Sequence, residues 1–235
     1  MNIRKPALAL CLIGALSASG FAQTSQAAAP AKRLIAETDV TKFTWSADPQ
    51  VSPDGKTVAF VRVDANEKKD DYETSIWIAA TDGKTPPRRF TAGPRDQAPR
   101  FSPDGSLLAF VRVAERDGRR LPPQIHLMPM AGGEAKAITD LPRGAGAAIF
   151  AADGKTIYFT STTTDDDVKN AKNPPKDAPK ESDVKVITRA VYRSNGGGYN
   201  DPTRKAQIYA VTLSDGVATE PKRLTQDDFG AGAPV

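Results

Sequence analysis

The chain has 235 residues, enough to bury a sizeable core, with one histidine and one cysteine. Its 39% hydrophobic and 26% charged residues are the composition of a soluble globular protein. These counts exclude a His-rich metal site and an internal disulfide framework, and any Ser-His-Asp mechanism would have to run through His126.

Residues 1–22 read as a signal peptide. Arg4 and Lys5 form a basic start, Ala7 to Leu16 an apolar run, and Gly20-Phe21-Ala22 a small-residue site with cleavage expected after Ala22. The apolar run is shorter than the ~20 residues of a membrane-spanning helix, so no membrane attachment is expected after cleavage. Removal of the leader takes Arg4, Lys5 and Cys11, leaving 30 basic against 28 acidic residues and no cysteine. Mixed charge without a basic stripe argues against nucleic-acid binding. A cysteine-free exported chain fits the periplasm or the exterior of a bacterial cell. Residues 23–40, with Ala27-Ala28-Ala29-Pro30-Ala31, read as a spacer.

The dominant feature beyond the spacer is an internal repeat. Residues 49–63 read P-Q-V-S-P-D-G-K-T-V-A-F-V-R-V and residues 99–113 read P-R-F-S-P-D-G-S-L-L-A-F-V-R-V. A weaker third copy, A-I-F-A-A-D-G-K-T-I-Y-F-T-S, occupies 148–161. In each copy a short apolar strand runs into a tight turn, where Asp bonds locally to the backbone and Gly supplies a positive φ. The following strand, Val58 to Val61 or Leu108 to Val111, is apolar on both alternating faces and reads as buried on both sides.

Third strands are predicted at Ser75–Ala79, Gln124–Met128 and Gln207–Val211, and fourth strands at Arg88–Thr91, Lys136–Thr139 and Lys222–Thr225. Four short strands recurring at about 50 residues predict an all-β fold, a partial β-propeller of about three four-stranded blades with PDG-type repeats. The blades are expected at about 41–92, 93–140 and 141–225, with the start of a fourth at 226–235. Three blades cannot close a ring of four to eight, so residues 41–235 read as an open fragment whose uncovered faces favour association. Residues 162–185, polar and rich in Asp, Lys and Pro, read as a mobile insertion.

Single motifs yield little chemistry. The D-G-K-T tetrads at Asp54, Asp82 and Asp153 lack the upstream glycine of a phosphate loop, where Gln50, Ile78 and Ile149 stand instead. The run Asp165-Asp166-Asp167 lacks the alternation and turn glycine of a calcium loop and reads as a solvated acidic run. His126 lies in a predicted strand and no G-x-S-x-G elbow occurs, so no catalytic residue is assigned and no cofactor or metal is expected. Arg189, Tyr192, Arg193, Asn195 and Tyr199 are the candidates for substrate contact, because Arg grips carboxylates and Tyr packs while keeping a polar tip.

Two stretches carry a family resemblance. D-P-Q-V-S-P-D-G-K-T-V-A-F-V at Asp48–Val61 and V-I-T-R-A-V-Y-R-S-N-G-G-G-Y at Val186–Tyr199 resemble the propeller of prolyl oligopeptidase family peptidases. The acylaminoacyl-peptidase and dipeptidyl-peptidase branch of bacteria is the nearest likeness. The resemblance implies an N-terminal propeller that restricts access of short peptides to a C-terminal α/β-hydrolase domain carrying a Ser-Asp-His triad. That domain has no counterpart in these residues. The PDG repeat alone is shared with Tol-system propellers, which gives the alternative of a periplasmic binding module.

Overall fold

The computed structural model describes residues 33–93, 95–174, 184, 186–187, 190, 192–194, 198–199, 201, 204–214, 217–226 and 230–232. Residues 37–235 form one unit and residues 1–36 another, and every strand lies in the larger. A 3₁₀ turn, Glu37–Lys42, precedes the first blade, which holds β1 (Thr44–Val51), β2 (Thr57–Asn66), β3 (Asp71–Ala80) and β4 (Arg88–Arg89). The second is built on β5 (Asp96–Phe101) and β6 (Leu107–Arg112). A small hairpin of β7 (Glu115–Arg116) and β8 (Arg119–Arg120) then leads to β9 (Gln124–Pro129) and β10 (Lys136–Ala137).

The third blade starts with β11 (Gly146–Phe150) and β12 (Thr156–Ser161). A long connection follows, with helix α1 (Asp165–Lys172) and a hairpin of β13 (Arg193–Ser194) and β14 (Gly198–Tyr199). The blade is completed by β15 (Gln207–Ser214), β16 (Val217–Ala218) and β17 (Lys222–Arg223). The three sheets are antiparallel, ordered β1-β2-β3-β4, β5-β6-β9-β10 and β11-β12-β15, with β16 and β17 both on β15. This is a partial β-propeller of three four-stranded blades, as the repeat predicts.

The repeat fixes three local structures. In the first turn the Ser52 hydroxyl donates to Asp54 Oδ1 at 2.7 Å and accepts from the Thr57 amide at 2.9 Å. Ser102 and Asp104 repeat this at 2.6 Å, with the Leu107 amide donating to Ser102 at 2.9 Å. Ala151 has no hydroxyl, and there the Asp153 carboxylate takes the Thr156 amide directly at 2.9 Å. The replacement of Ser-Pro by Ala151-Ala152 therefore leaves the turn closed, with Gly154 at φ 66° beside Gly55 at 72° and Gly105 at 71°.

The second structure is a bulge in the first strand of each blade. Register shifts fall between Ala47 and Gln50, Gln97 and Arg100, and Gly146 and Ile149. Asp48, Ala98 and Ala147 take the extra place at φ 44°, 54° and 51°, a conformation that costs a residue with a Cβ about 1–3 kcal/mol. At the first two bulges Arg100 donates to both Asp48 oxygens, at 2.9 and 3.1 Å, tying blade 2 to blade 1.

The third is a threonine clamp after each fourth strand. Thr91, Thr139 and Thr225 accept the amides of Ile76, Ile125 and Ile208 at 3.1, 2.9 and 2.9 Å. Thr139 and Thr225 also donate to Gln124 and Gln207, at 2.7 and 2.6 Å.

Packing between blades supplies the core. Leu108 and Phe110 of blade 2 pack on Ala59, Ile76, Ile78 and Phe90 of blade 1. Ile157, Phe159, Tyr209 and Val211 of blade 3 pack on Ile125, with Leu141, Ala145 and Ala148 beside them. Only blade 2 is covered on both faces among the described residues, and Leu108 to Val111 are all buried. The expectation for blade 1 needs correcting: Val58 and Phe60 are half-buried, because no described blade lies against that side of β2.

A second correction concerns the insertion, whose beginning is not an irregular loop. Thr163 is buried, and residues 165–172 are helical. The Thr164 hydroxyl accepts the Asp167 amide at 3.2 Å, and Asp167 accepts the Thr164 amide at 2.9 Å. This capping box, with three aspartates against the positive end of the helix dipole, nucleates a turn from residues with poor helix propensity. Residues 175–183 lie outside the described residues, as does most of the expected fourth-blade start at 226–235.

Replacing Thr139 by Val should leave the buried Ile125 amide unpaired and cost about 1–3 kcal/mol, read as a lower denaturation midpoint with an unchanged slope.

Candidate functional site

The two ends of the blades differ in what they carry. One end holds the tight Asp-Gly turns and the β3–β4 type of connection. At the other lie the β2–β3 tip, the β7–β8 hairpin, α1 and the β13–β14 hairpin. Long connections on a rigid scaffold are where binding residues concentrate.

Ion pairs hold this end together. Asp71, at the base of the β2–β3 tip, accepts from both Arg95 and Arg120 of blade 2. The Arg95 hydrogen bond is the main reason that the Asp71 carboxyl is held below its ordinary pKa. Arg95 also donates to the Tyr72 carbonyl at 3.1 Å. Deeper in blade 2, Arg112 makes a two-point contact with fully buried Asp96 at 2.7 and 2.8 Å, lies over the Phe110 ring, and is pushed up in pKa by that contact. The Gly93 amide donates to the same carboxylate at 3.2 Å, and a Cβ at Gly93 would collide with Asp96 Oδ1.

Asp167 anchors α1 in the same manner. Arg204 donates to it at 2.7 Å and Arg143 approaches to 3.6 Å. Burial acts to raise its pKa, but Arg204 and the Thr164 hydrogen bonds outweigh burial and hold it at about 2. The acidic run is thus divided: Asp166 is solvated, while Asp167 is a half-buried anchor. Beside α1 a cleft of about 480 Å³ is lined by Val168, Lys169, Lys172, Tyr209 and Arg223, among others, and Lys172 faces Glu220 at 3.6 Å across it.

Of the residues selected from sequence, Tyr192, Arg193 and Tyr199 fall on the β13–β14 hairpin, where Arg193 pairs with Tyr199 in register. Tyr192 is 44% exposed and Tyr199 37%. Arg189 and Asn195 lie outside the described residues. Sequence reasoning missed the ion-pair anchors Asp71, Asp96 and Asp167, since their partners are distant in the chain. The repeat did hold one signal, because Arg112 and Arg62 occupy matching positions beside an aromatic pair.

His126 belongs to that aromatic pair. Its ring stacks on Phe110 with centroids 5.7 Å apart, as Tyr209 stacks on Phe159 at 5.6 Å, and Trp77 occupies the matching place beside Phe60. Its Nδ1 lies 3.2 Å from the Gln124 carbonyl. Burial pushes its pKa below 6.5, with Arg112 adding to the effect. Among the described residues no His, Cys, Asp and Glu side chains cluster to hold a metal, and no helix is long and apolar enough to cross a membrane.

The geometry defines a propeller segment stabilised between blades and decorated at one end. No protein-family model matches the chain. It is 32% identical over 208 residues to the uncharacterized peptidase YuxL of Bacillus subtilis strain 168, a match covering 87% of this chain and 30% of that protein. Two crystal structures of an acylaminoacyl peptidase from Pyrococcus horikoshii share the fold. The orthorhombic form aligns with TM-score 0.55 and 18% identity over 78% of this chain and 26% of that one, and the uncomplexed form with 0.52 and 20% over 79% and 26%. In sequence the chain is similar to part of a peptidase, and in fold it is similar to part of an acylaminoacyl peptidase. It spans about 30% of the length of the curated relative that it matches.

Two pH effects follow from these pairs. Folding lowers the Asp167 pKa from 3.8 to about 2, so its contribution to stability is complete above about pH 4 and is lost as pH falls toward 2. Asp167→Asn should flatten that acid limb in denaturant titrations. Folding also lowers the His126 pKa below 6.5, so stability declines as pH drops beneath that value. His126→Phe should remove this second, higher-pH loss, and an NMR titration of the His126 ring should give a midpoint below 6.5.

Proposed function

We propose that the chain is the N-terminal propeller portion of an exported serine peptidase that hydrolyses peptides, of the acylaminoacyl- or dipeptidyl-peptidase kind. The observation that carries the reading is the 32% identity to a peptidase over 208 residues. In this reading the blades restrict access to a hydrolase domain carried elsewhere in the same polypeptide, admitting short unfolded peptides. The exposed Tyr192 and Arg193 face incoming peptide, the guanidinium suited to a carboxylate and the ring to apolar side chains. Arg189, Asn195 and Tyr199 complete the set of proposed contacts. Export follows from the leader, with Gln23 as the mature N-terminus.

The assignment of residues supports a role without chemistry of its own. His126 is stacked within a blade face, and its Nδ1 contacts a backbone carbonyl where a catalytic base would meet an orienting carboxylate. The 235-residue chain should neither hydrolyse dipeptidyl or acyl-peptide reporters nor react with fluorophosphonate probes; labelling of any serine would overturn this. The reading frame beyond Val235 should encode further PDG repeats, a G-x-S-x-G segment and a late histidine. An authentic stop at that point, with a stable folded product, would favour a periplasmic binding module instead. Mass spectrometry of the exported chain should find Gln23 at its N-terminus.

A further inference from the structure

The cleft of about 480 Å³ beside α1 lies at the rim between blades 2 and 3, within the size range of pockets that hold small ligands. Tyr209 and Arg223 stand opposite each other in register, on the side of β15 where Tyr209 packs with Ile125 and Leu141. A blade stacked after the third would cover the opposite face of β15, at Ile208 and Ala210, and not this cleft. Its floor is apolar, with buried Leu141 and Tyr209 and half-buried Val168 and Pro221. The charges around that floor are unequally matched. Lys172 faces Glu220 at 3.6 Å and Lys169 faces Asp166 at 3.5 Å. Arg223 donates from Nε to the Thr225 carbonyl at 2.8 Å, and its two terminal nitrogens have no partner among the described residues. The matching Arg89 of blade 1 makes the same Nε bond to Thr91, but also donates from a terminal nitrogen to the carbonyls of Ala92 and Gly93. Asp140 and Asp165, on the same lining, make no side-chain hydrogen bond or ion pair among the described residues. Both signs of charge act on the Tyr209 hydroxyl: burial raises its pKa, Arg223 opposes the rise and Asp165 adds to it.

We propose that this cleft binds a short zwitterionic peptide, with its carboxylate on Arg223, its ammonium on Asp140 and Asp165, and its apolar side chains on Leu141, Val168 and Tyr209. A guanidinium fixed along one edge presents its remaining N–H groups as a ready fork for a carboxylate. Two carboxylates without a cation leave a place for an ammonium group. A single ligand that carries both ends answers both signs at once, which a simple anion or a simple cation does not. The apolar floor favours hydrophobic side chains between those ends, because their burial removes apolar surface from water. The choice of a peptide among zwitterions rests on the peptidase reading, in which di- and tripeptides are the released products. The charge pattern and the floor stand without it.

Calorimetric titration of the full chain with the dipeptide alanyl-leucine should show one saturable site. Amidating its C-terminus or acetylating its N-terminus should each weaken binding by about tenfold or more, the scale of a lost charge-assisted hydrogen bond. Arg223→Gln should reproduce the loss caused by amidation and make the protein indifferent to that change, as a coupled pair requires. The double variant Asp140→Asn, Asp165→Asn should do the same for acetylation. Lys169→Gln, which removes an exposed charge from the same rim, should change affinity by less than about twofold. Circular dichroism should show all variants folded, and backbone amide NMR signals should shift at Leu141, Val168 and Tyr209 and not in β1 to β4. No saturable binding at millimolar dipeptide overturns the proposal, as does free leucine binding as tightly as the dipeptide. Amidation that still weakens binding by the full factor in Arg223→Gln, or an equal loss from Lys169→Gln, also overturns it. The titration needs no hydrolysis, so the cleft can fail while a downstream hydrolase segment is found, and can bind where a stop codon is found.

Discussion

The structure depends on burying one face of a four-stranded sheet against an unlike face of its neighbour. A blade by itself has apolar residues on both faces of its second strand, and water can be excluded from both only when blades stand on each side. Leu108 to Val111 meet that requirement and are buried throughout. The matching Val58 and Phe60, and Tyr158 and Thr160, are half-buried, and the difference lies in which neighbours are present. At ~25 cal/mol per Å² of apolar surface, this burial outweighs any single ion pair in the molecule. It also explains the phenylalanine recurring at 60, 110 and 159, each beside an aromatic ring on the next strand.

Polar interactions then specify how the faces meet. The Asp-Gly turn, the first-strand bulge and the threonine clamp recur in each blade, and the turns and clamps satisfy amides that the short strands leave open. The third turn shows what the arrangement requires. With Ala151 in place of serine, Asp153 reaches the Thr156 amide itself, so the required element is an acceptor at that point rather than a particular side chain. Asp96, Asp71 and Asp167 act between segments, each holding an arginine that fixes a connection at the decorated end.

His126 illustrates how repeat context assigns a residue. Taken alone, a single histidine invites a catalytic reading. Matched across blades it is the counterpart of Trp77 and Tyr209, one of three flat rings stacked or packed beside a phenylalanine. Its lowered pKa comes from burial at a blade face, which keeps the ring neutral and compatible with its apolar surroundings.

Much of the fold was legible in the sequence because its determinants are local and repeated. Asp-Gly turns, apolar second strands and the 50-residue spacing all act within a few residues of one another. The candidate contacts at Tyr192, Arg193 and Tyr199 were legible as a turn with aromatic and basic residues, though not their exposure or pairing. The helix at 165–172 was missed because three aspartates and two lysines carry no apolar periodicity. It is held by a cap and by Arg204, which is 37 residues from Asp167. The sequence by itself determined the number of blades, the turns and the strand order, since each follows from short-range backbone preference and hydrophobic pattern. Only the tertiary structure decided which apolar faces are covered and which aspartates become anchors. Those outcomes depend on desolvation by residues tens of positions away, and no local pattern encodes it.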